Sequence, residues 1–208
     1  MLQTQTVDES TLDLLRSLQE KAYLKGFFLV GGTALALYYG HRKSIDLDLF
    51  TNQAFDAAWL LEQIQQDFEI QLHFTSTNTI KGSINNVKVD FIAHRYPYME
   101  EPCITDKYRI LSEKDIIAMK LNAISVSGQR SKGFIDIYYA LERYSLAEMI
   151  SFYQKKYRQQ SDMHVLKSLV FFDDVDLSDW PMLIMTPDLE WEKVGAKLSK
   201  EVLAYTQK

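Results

Sequence analysis

The sequence predicts an α+β (α/β) fold, in which a small mixed β-sheet flanked by helices precedes a helical C-terminal half. Two observations predict it. Short apolar and alternating segments, which are typical of strands, fall within about the first hundred residues. After them, helical periodicity and helix-start signals prevail. We therefore expect an α/β domain over residues 1–100 and a helical domain over residues 101–208 that completes a cleft.

The first half is expected to alternate helices and strands. Leucines at helical spacing and a stop at Gly26 predict the first helix, and the apolar run after it predicts a buried strand. Asn85-Asn86 is a turn signal between two strand-like segments, so we expect a hairpin there. The expected helices cover residues 10–25, 33–39 and 54–68, and the clearest expected strands cover 27–30, 45–50, 69–74 and 87–93.

The second half is expected to be helical. Residues 95–110 include Pro97 and Pro102 and show no clear period, so we expect an irregular crossing there. Ser112 and Ser145 each stand three residues before an acidic residue, the pattern of a capping box. We expect helices over 112–125 and 131–144, a third from Ser145, and two or three shorter ones. The acidic cluster between residues 173 and 179 is expected to be a solvated loop.

Composition and charge exclude several classes of protein. The 208 residues are 47% hydrophobic and 25% charged, which is typical of a globular protein, and the net charge of −5 argues against a broadly basic polyanion binder. Residues 107–132 nevertheless contain six basic and two acidic side chains, so a local cationic surface is compatible with the total. The single cysteine excludes an intrachain disulfide and a multi-cysteine zinc site. With neither a signal-peptide pattern nor a transmembrane-length apolar run, we expect a cytoplasmic protein without a membrane partner.

Two aspartates carry the strongest chemical signal. On a strand, side chains two residues apart point to the same side, so Asp46 and Asp48 would place two carboxylates side by side between apolar neighbours. Their repulsion and desolvation would be relieved by a hard divalent cation such as magnesium. An Asp-x-Asp on an ordinary solvated face is the alternative for this pair considered alone.

A glycine pair and a third carboxylate strengthen the signal. Gly31-Gly32 falls between a predicted strand and a helix N-terminus, where backbone N–H groups can approach a phosphate, although a plain tight turn has the same pattern. Asp90 lies on another predicted strand. Three carboxylates at one sheet edge could hold two magnesium ions, or manganese in their place, and one of them could take the proton from an attacking hydroxyl. This combination suits transfer at a phosphorus centre.

In the order in which these residues occur, the chain resembles the polymerase-β-type nucleotidyltransferases, and specifically the AbiEii-like (AbiEii/AbiGii) toxins of type IV toxin–antitoxin systems. The resemblance spans most of residues 31–140 and rests on four segments. These are Gly31-Gly32-Thr33 with Arg42, Ser44, Asp46 and Asp48; Val89-Asp90-Phe91; residues 118–124 around Lys120; and residues 132–138 around Asp136.

The resemblance implies a role for each matching residue. The implied metal ligands are Asp46, Asp48 and Asp90, with Asp90 as general base. The implied nucleotide-binding residues are Gly31, Gly32, Thr33, Arg42, Ser44, Lys120 and Lys132. Lys120 would contact a nucleotide phosphate, and Asp136 would complete the catalytic site by holding a lysine, base or sugar. Gly133 departs from the family pattern, because relatives often carry a charged residue there.

Two of these positions, both in the second half, are also compatible with a purely structural role. Lys120 has mostly apolar neighbours in its predicted helix, so it either extends its amine to solvent or meets an anion. Asp136 lies between two isoleucines, where a capping or ion-pair role is equally compatible with the sequence.

The expected function follows from the resemblance. It implies a magnesium-dependent enzyme that transfers a nucleoside monophosphate (NMP) from a nucleoside triphosphate (NTP) to an acceptor hydroxyl. The expected acceptor is RNA such as a tRNA 3′ end, and a protein hydroxyl is the alternative acceptor. It also implies a cognate antitoxin encoded nearby, whose direct binding is not required. One alternative is an inactive nucleotide- or partner-binding module of the same fold. Another is an Asp-x-Asp glycosyltransferase, which would need a larger nucleotide-binding layer than the first half offers.

Overall fold

The computed structural model describes residues 2–207. Its α-helices are α1 (Glu9–Glu20), α2 (Gly31–Tyr39), α3 (Ala57–Asp67), α4 (Glu113–Val126), α5 (Ser131–Ala140), α6 (Leu146–Tyr157), α7 (Met163–Leu169) and α8 (Trp191–Thr206). Its strands are β1 (Phe28–Val30), β2 (Leu47–Thr51), β3 (Ile70–Ser76), β4 (Thr79–Ile84), β5 (Val87–Ala93), β6 (Cys103–Ile104) and β7 (Arg109–Ile110). Short 3-10 turns cover Thr4–Thr6, Ala22–Leu24 and Leu177–Asp179.

The strands form one mixed sheet in the order β3-β4-β5-β2-β1-β7-β6. β2 occupies the centre, antiparallel to β1 and parallel to β5. The parallel register places Asp48 opposite Asp90, and the antiparallel register places Val30 opposite Asp48. The end of β1, which leads into the glycine pair, therefore lies beside the strand that carries the carboxylates.

The hairpin expected at Asn85-Asn86 is confirmed. Asn85 has φ 51° and Asn86 has φ 63°, so both turn residues adopt left-handed backbone conformations that asparagine tolerates. The turn joins β4 to β5 in antiparallel register, with Ile84 opposite Val87. This hairpin fixes β5, and with it Asp90, next to β2.

Helix α4 is the centre of the helical half. It packs against α2, α5, α6 and α7. Its N-cap is Ser112, whose hydroxyl accepts a hydrogen bond from the backbone N–H of Asp115 at 3.1 Å. Ser145 and Glu148 form the expected capping box at the start of α6. Capping satisfies N–H groups that have no partner within the helix, so these two starts could be located from sequence.

A buried ion pair connects the crossing segment to the helical half. Lys156 Nζ lies 2.7 Å from Asp115 Oδ1, and both side chains are almost fully buried. Asp115 also accepts hydrogen bonds from the backbone N–H groups of Met99 and Glu100. The segment that the sequence left irregular is thus fixed through its backbone.

The structure differs from the expected elements in five places. The first helix, α1, ends at Glu20 rather than near residue 25, and β2 begins at Leu47, so Asp46 precedes the strand on which it was expected. The crossing includes β6 and β7, which are only two residues long, and β7 pairs in parallel with β1. The last helix is the longest of those described, with 16 residues, rather than one of the shorter ones. The helix from Ser131 ends at Ala140, four residues earlier than expected. Within residues 2–207, every helix is too short or too polar to cross a bilayer.

Candidate active site

The turn between β1 and α2 is built around Gly31. Its φ of 71° lies in the left-handed region, which side chains other than glycine adopt at a cost. A Cβ atom at this position would also collide with Asp48 Oδ2 and come within 3.0 Å of Asp48 Cγ. Glycine is therefore required twice here, once for the backbone and once for the close approach of the carboxylate.

Gly32 makes room for a different side chain. A Cβ atom there would collide with Arg42 Nη2 and would lie 3.6 Å from Asp136 Oδ2. The start of α2 therefore contacts a carboxylate on one side and a guanidinium on the other. Because the first N–H groups of a helix lack intrahelical partners, an anion can bind at this turn.

Asp48 is the carboxylate nearest this turn. Burial, together with the negative charges of Asp90 and Asp46, raises the pKa of Asp48 to about 6, although Lys120 opposes the shift. Asp46 precedes β2, and its carbonyl accepts a hydrogen bond from the hydroxyl of Thr33. The carboxylates of Asp46 and Asp90 therefore each lie close enough to that of Asp48 to repel it.

Asp90 lies on β5, directly opposite Asp48 in the parallel register. Its side chain is nearly buried, and Lys81 Nζ is 3.3 Å from its Oδ2. Its Oδ1 is buried without a hydrogen-bond partner in the part of the chain that the structure describes. Across residues 2–207 no three His, Cys, Asp or Glu side chains form a ready-made metal site.

Asp136 joins three basic side chains in the interior. Its Oδ1 lies 2.8 Å from His41 Nε2 and 2.7 Å from Arg42 Nε, while its Oδ2 lies 2.9 Å from Lys120 Nζ. Burial alone would raise the pKa of Asp136, but the charges of Arg42 and Lys120 and the hydrogen bonds from His41 and Arg42 hold it well below its usual range. Asp136 is fully buried, and the contacts of its carboxylate described here are with these three basic side chains.

Thr33 and Ser44 are linked to each other. Their hydroxyl oxygens are 2.8 Å apart, and Thr33 is buried whereas Ser44 is partly exposed. Thr33 therefore holds the loop before β2 in place, and Ser44 presents its side chain to an adjacent cavity.

This cavity of about 430 Å³ lies between the glycine turn, the start of β2 and helix α4. Of the residues predicted to form the site, those that line the cavity are Gly31, Gly32, Thr33, Arg42, Ser44, Asp46, Asp48, Lys120 and Lys132. Asp90 and Asp136 do not line it; Asp90 is the cross-strand partner of Asp48, and Asp136 contacts Lys120. The structure thus brings nine predicted residues to one cavity and places the other two in direct support.

One wall of the cavity was not predicted. It is formed by residues 179–185, which we call the strap, and Trp180, Pro181 and Met182 of the strap line the cavity. At one end, Asp179 Oδ1 accepts hydrogen bonds from the hydroxyl and the backbone N–H of Ser131. At the other end, the carbonyl of Met182 accepts a hydrogen bond of 2.8 Å from the backbone N–H of Lys43.

The strap changes the interpretation of the acidic cluster. Asp173 and Asp174 are exposed, as expected of a solvated loop, but Asp179 binds the start of α5.

Sequence reasoning also missed His41, the partner of Asp136, because a lone histidine has no local signature. An acidic residue followed by Trp-Pro was the only sequence feature that could have drawn attention to the strap.

Comparisons with known proteins agree with this geometry. Residues 13–196 match the family model described as nucleotidyl transferase AbiEii toxin, type IV toxin–antitoxin system. An uncharacterized protein of Aquifex aeolicus is 32% identical over 189 residues, which cover 87% of this chain and 88% of that protein.

Two solved structures share the fold. MenT4, a nucleotidyltransferase toxin of Mycobacterium tuberculosis, is 15% identical with a TM-score of 0.63, and the match covers 96% of this chain and 82% of that one. JHP933 of Helicobacter pylori is 18% identical with a TM-score of 0.57, covering 95% and 92%. At these identities the likeness concerns the fold, and it confirms the predicted mixed sheet with C-terminal helices. By its family match over most of its length, the chain belongs to the AbiEii nucleotidyltransferase toxins of type IV toxin–antitoxin systems.

Proposed function

We propose that this nucleotidyltransferase moves an NMP from an NTP to an acceptor hydroxyl on RNA, with a divalent cation held by its carboxylates. The observation that carries the proposal is the position of Asp48. Its carboxylate lies against the Gly31 turn, in a cavity that Lys120 also lines. A triphosphate in this cavity would meet backbone N–H groups, a cation site and a lysine together.

The carboxylates fit a hard divalent cation. Asp46 and Asp48 line the cavity, and the buried Oδ1 of Asp90 lacks a hydrogen-bond partner among the described residues. Oxygen ligands of this kind suit magnesium and manganese. When bound, such a cation neutralises charge on the phosphates and orients them for in-line attack.

The chain's own residues would perform the remaining steps. The acceptor oxygen forms a bond to the α-phosphorus, the bond from that phosphorus to the bridging oxygen breaks, and pyrophosphate leaves with the electron pair. Lys120 lies where it can stabilise negative charge on the phosphates. We assign the released proton to Asp90, which is the cross-strand partner of Asp48 on β5.

Basic residues support an RNA acceptor. Lys43, Arg130 and Lys132 line the cavity in addition to Lys120 and Arg42. A polyanion would be attracted to this surface despite the net charge of −5. Membership of a toxin–antitoxin family implies a cognate antitoxin, and control of the toxin without direct binding stays a prediction.

The test is to incubate the protein with each α-labelled NTP, total cellular RNA and magnesium, and to follow the label. We expect label on RNA, absence of label after EDTA treatment, and absence of label with Asp48→Asn. Label on protein instead would contradict the RNA acceptor but not the reaction. Tight NTP binding with no transfer to any acceptor would favour the inactive-module alternative.

A further inference from the structure

The cavity has a charged region and an apolar region that adjoin along α4. Lys120, which binds Asp136, belongs to the charged region. Ile124 follows one turn later, about 6 Å along the helix axis, and it also lines the cavity. A Cβ atom at Gly133 would lie 3.4 Å from Ile124 and 3.9 Å from Lys120, so the start of α5 adjoins both regions.

The strap places Trp180 on the cavity wall next to the start of α5, which adjoins both regions. Asp179 binds Ser131 at the start of α5, and Trp180 is the next residue. The Trp180 ring packs edge-on against Trp191 at 6.5 Å between centroids, and Trp180 is partly exposed where it lines the cavity. Because the strap is attached on both sides of the cavity, through Ser131 and Lys43, this indole is held in place by the fold.

We propose that Trp180 forms the nucleobase contact of the nucleotide subsite, by stacking its indole on the base of the NTP. The inference rests on the proposed function, because it takes the charged region as the triphosphate site. In an NTP the ribose separates the triphosphate from the base, and in the cavity one helical turn of α4 separates Lys120 from Ile124. An aromatic face accepts any base, so the contact would add affinity for every NTP and would add nothing for a triphosphate that lacks a base.

The test compares two ligands and four proteins. Dissociation constants are measured, with magnesium, for each NTP and for inorganic tripolyphosphate. The proteins are the wild type, Trp180→Ala, Trp180→Phe and Trp59→Ala. Trp59 is 50% exposed on α3 and does not line the cavity, so it is the matched control.

We expect Trp180→Ala to weaken NTP binding by about 5- to 100-fold, and to leave tripolyphosphate binding unchanged. Trp180→Phe retains most of the affinity, and Trp59→Ala retains all of it. Equal loss for both ligands would mean that Trp180 only maintains the cavity, and no loss for either would mean that it does not touch the base. Each of these two results overturns the inference while the proposed function stands.

A fluorescence measurement keeps the inference testable if Trp180→Ala fails to fold. In Trp59→Phe protein, emission should be quenched by NTP and unaffected by tripolyphosphate, since the other remaining indole, Trp191, packs between Phe134 and Phe172. Emission unchanged at saturating NTP would contradict the stacking contact. Failure of the wild-type protein to bind any NTP would instead contradict the proposed function, and this inference with it.

Discussion

Lys120 Nζ lies 2.9 Å from Asp136 Oδ2, and this ion pair joins α4 to α5 beside the glycine turn. Asp136 is fully buried, whereas the Lys120 side chain is 16% exposed and reaches the cavity. The carboxylate therefore uses one of the three donors of the ammonium group and fixes its position, which leaves the other two available to a phosphate.

Removing the Lys120 charge should weaken NTP binding. We expect Lys120→Met to raise the dissociation constant by about 10- to 100-fold, the usual effect of losing a hydrogen bond to a charged group. Isothermal titration calorimetry against the wild type measures this. Lys200→Met is the control, since it removes the same charge from an exposed position on α8 that does not line the cavity. Equal affinity in both variants would make Lys120 a purely structural lysine.

Truncating Asp136 should destabilise the whole fold. Asp136→Ala leaves Arg42 and Lys120 without their carboxylate in the interior, and we expect the free energy of unfolding to fall by about 3–5 kcal/mol. Urea denaturation followed by circular dichroism checks it. A change below about 1 kcal/mol would be typical of a surface ion pair and would contradict a buried network around Asp136.

Replacing Asp48 should separate activity from stability. We expect Asp48→Asn to reduce nucleotide transfer at least about 100-fold, because a cation ligand is lost. Without added metal, the same change should raise stability, by at most about 3 kcal/mol, because it removes the buried charge whose desolvation, together with repulsion from Asp90 and Asp46, raises the pKa of Asp48 to about 6. Thermal unfolding in EDTA and the transfer assay together test this. A lower melting temperature of Asp48→Asn would show that the charge of Asp48 does not destabilise the metal-free fold.

Gly31 should not tolerate a side chain. Gly31→Ala introduces a left-handed residue at a cost of about 1–2 kcal/mol, and its methyl group would displace the Asp48 carboxylate. A shift of this kind should lower transfer about 100-fold. Gly26→Ala is the control, because its added Cβ would meet only Thr51 Oγ1 at 3.8 Å. Similar activity of the two variants would contradict the close approach of Asp48 to the turn.

His94 should make stability depend on pH. Burial lowers the pKa of His94 to about 4, and its Nε2 lies 3.0 Å from the hydroxyl of Tyr157. As the pH falls, the histidine of the unfolded chain therefore takes up a proton first, near pH 6.5. The stability that the neutral His94 contributes to the folded state is complete above pH 6.5 and is lost progressively as the pH falls towards 4. The loss amounts to at most about 3 kcal/mol. The free energy of unfolding in urea is measured against pH for the wild type and for His94→Gln, and the difference between the two curves gives the effect of His94. Parallel curves would contradict the prediction.

Local patterns made part of the site predictable. Alternation along a strand depends only on neighbouring residues, so Asp48 and Asp90 could be placed on their strands from sequence, whereas Asp46 lies just before β2 rather than on it. Glycines before a helix, capping serines and the Asn85-Asn86 turn are equally local. These local features predicted most of the helices and strands, and the structure confirms the fold class that they predicted.

Contacts between residues far apart in the chain could not be predicted from the sequence. Asp136 meets His41 and Arg42 across about ninety-five residues, and β6 and β7 are too short to show a period. The sequence left Asp136 open between a cap, an ion pair and a site residue, and the structure shows the ion pairs. The strap could not be foreseen either, since its bonds to Ser131 and Lys43 follow from tertiary packing rather than from its own residues.

The late position of the strap in the chain affects when the protein can act. A ribosome completes the carboxylates, the glycine turn and the basic residues of the cavity well before it reaches residues 179–185. Leu183 can pair with Arg42 only after that point. A nascent chain therefore lacks the far wall of the cavity until residues 179–185 have been made, and a cell making this protein meets the complete cavity only in molecules that extend at least this far.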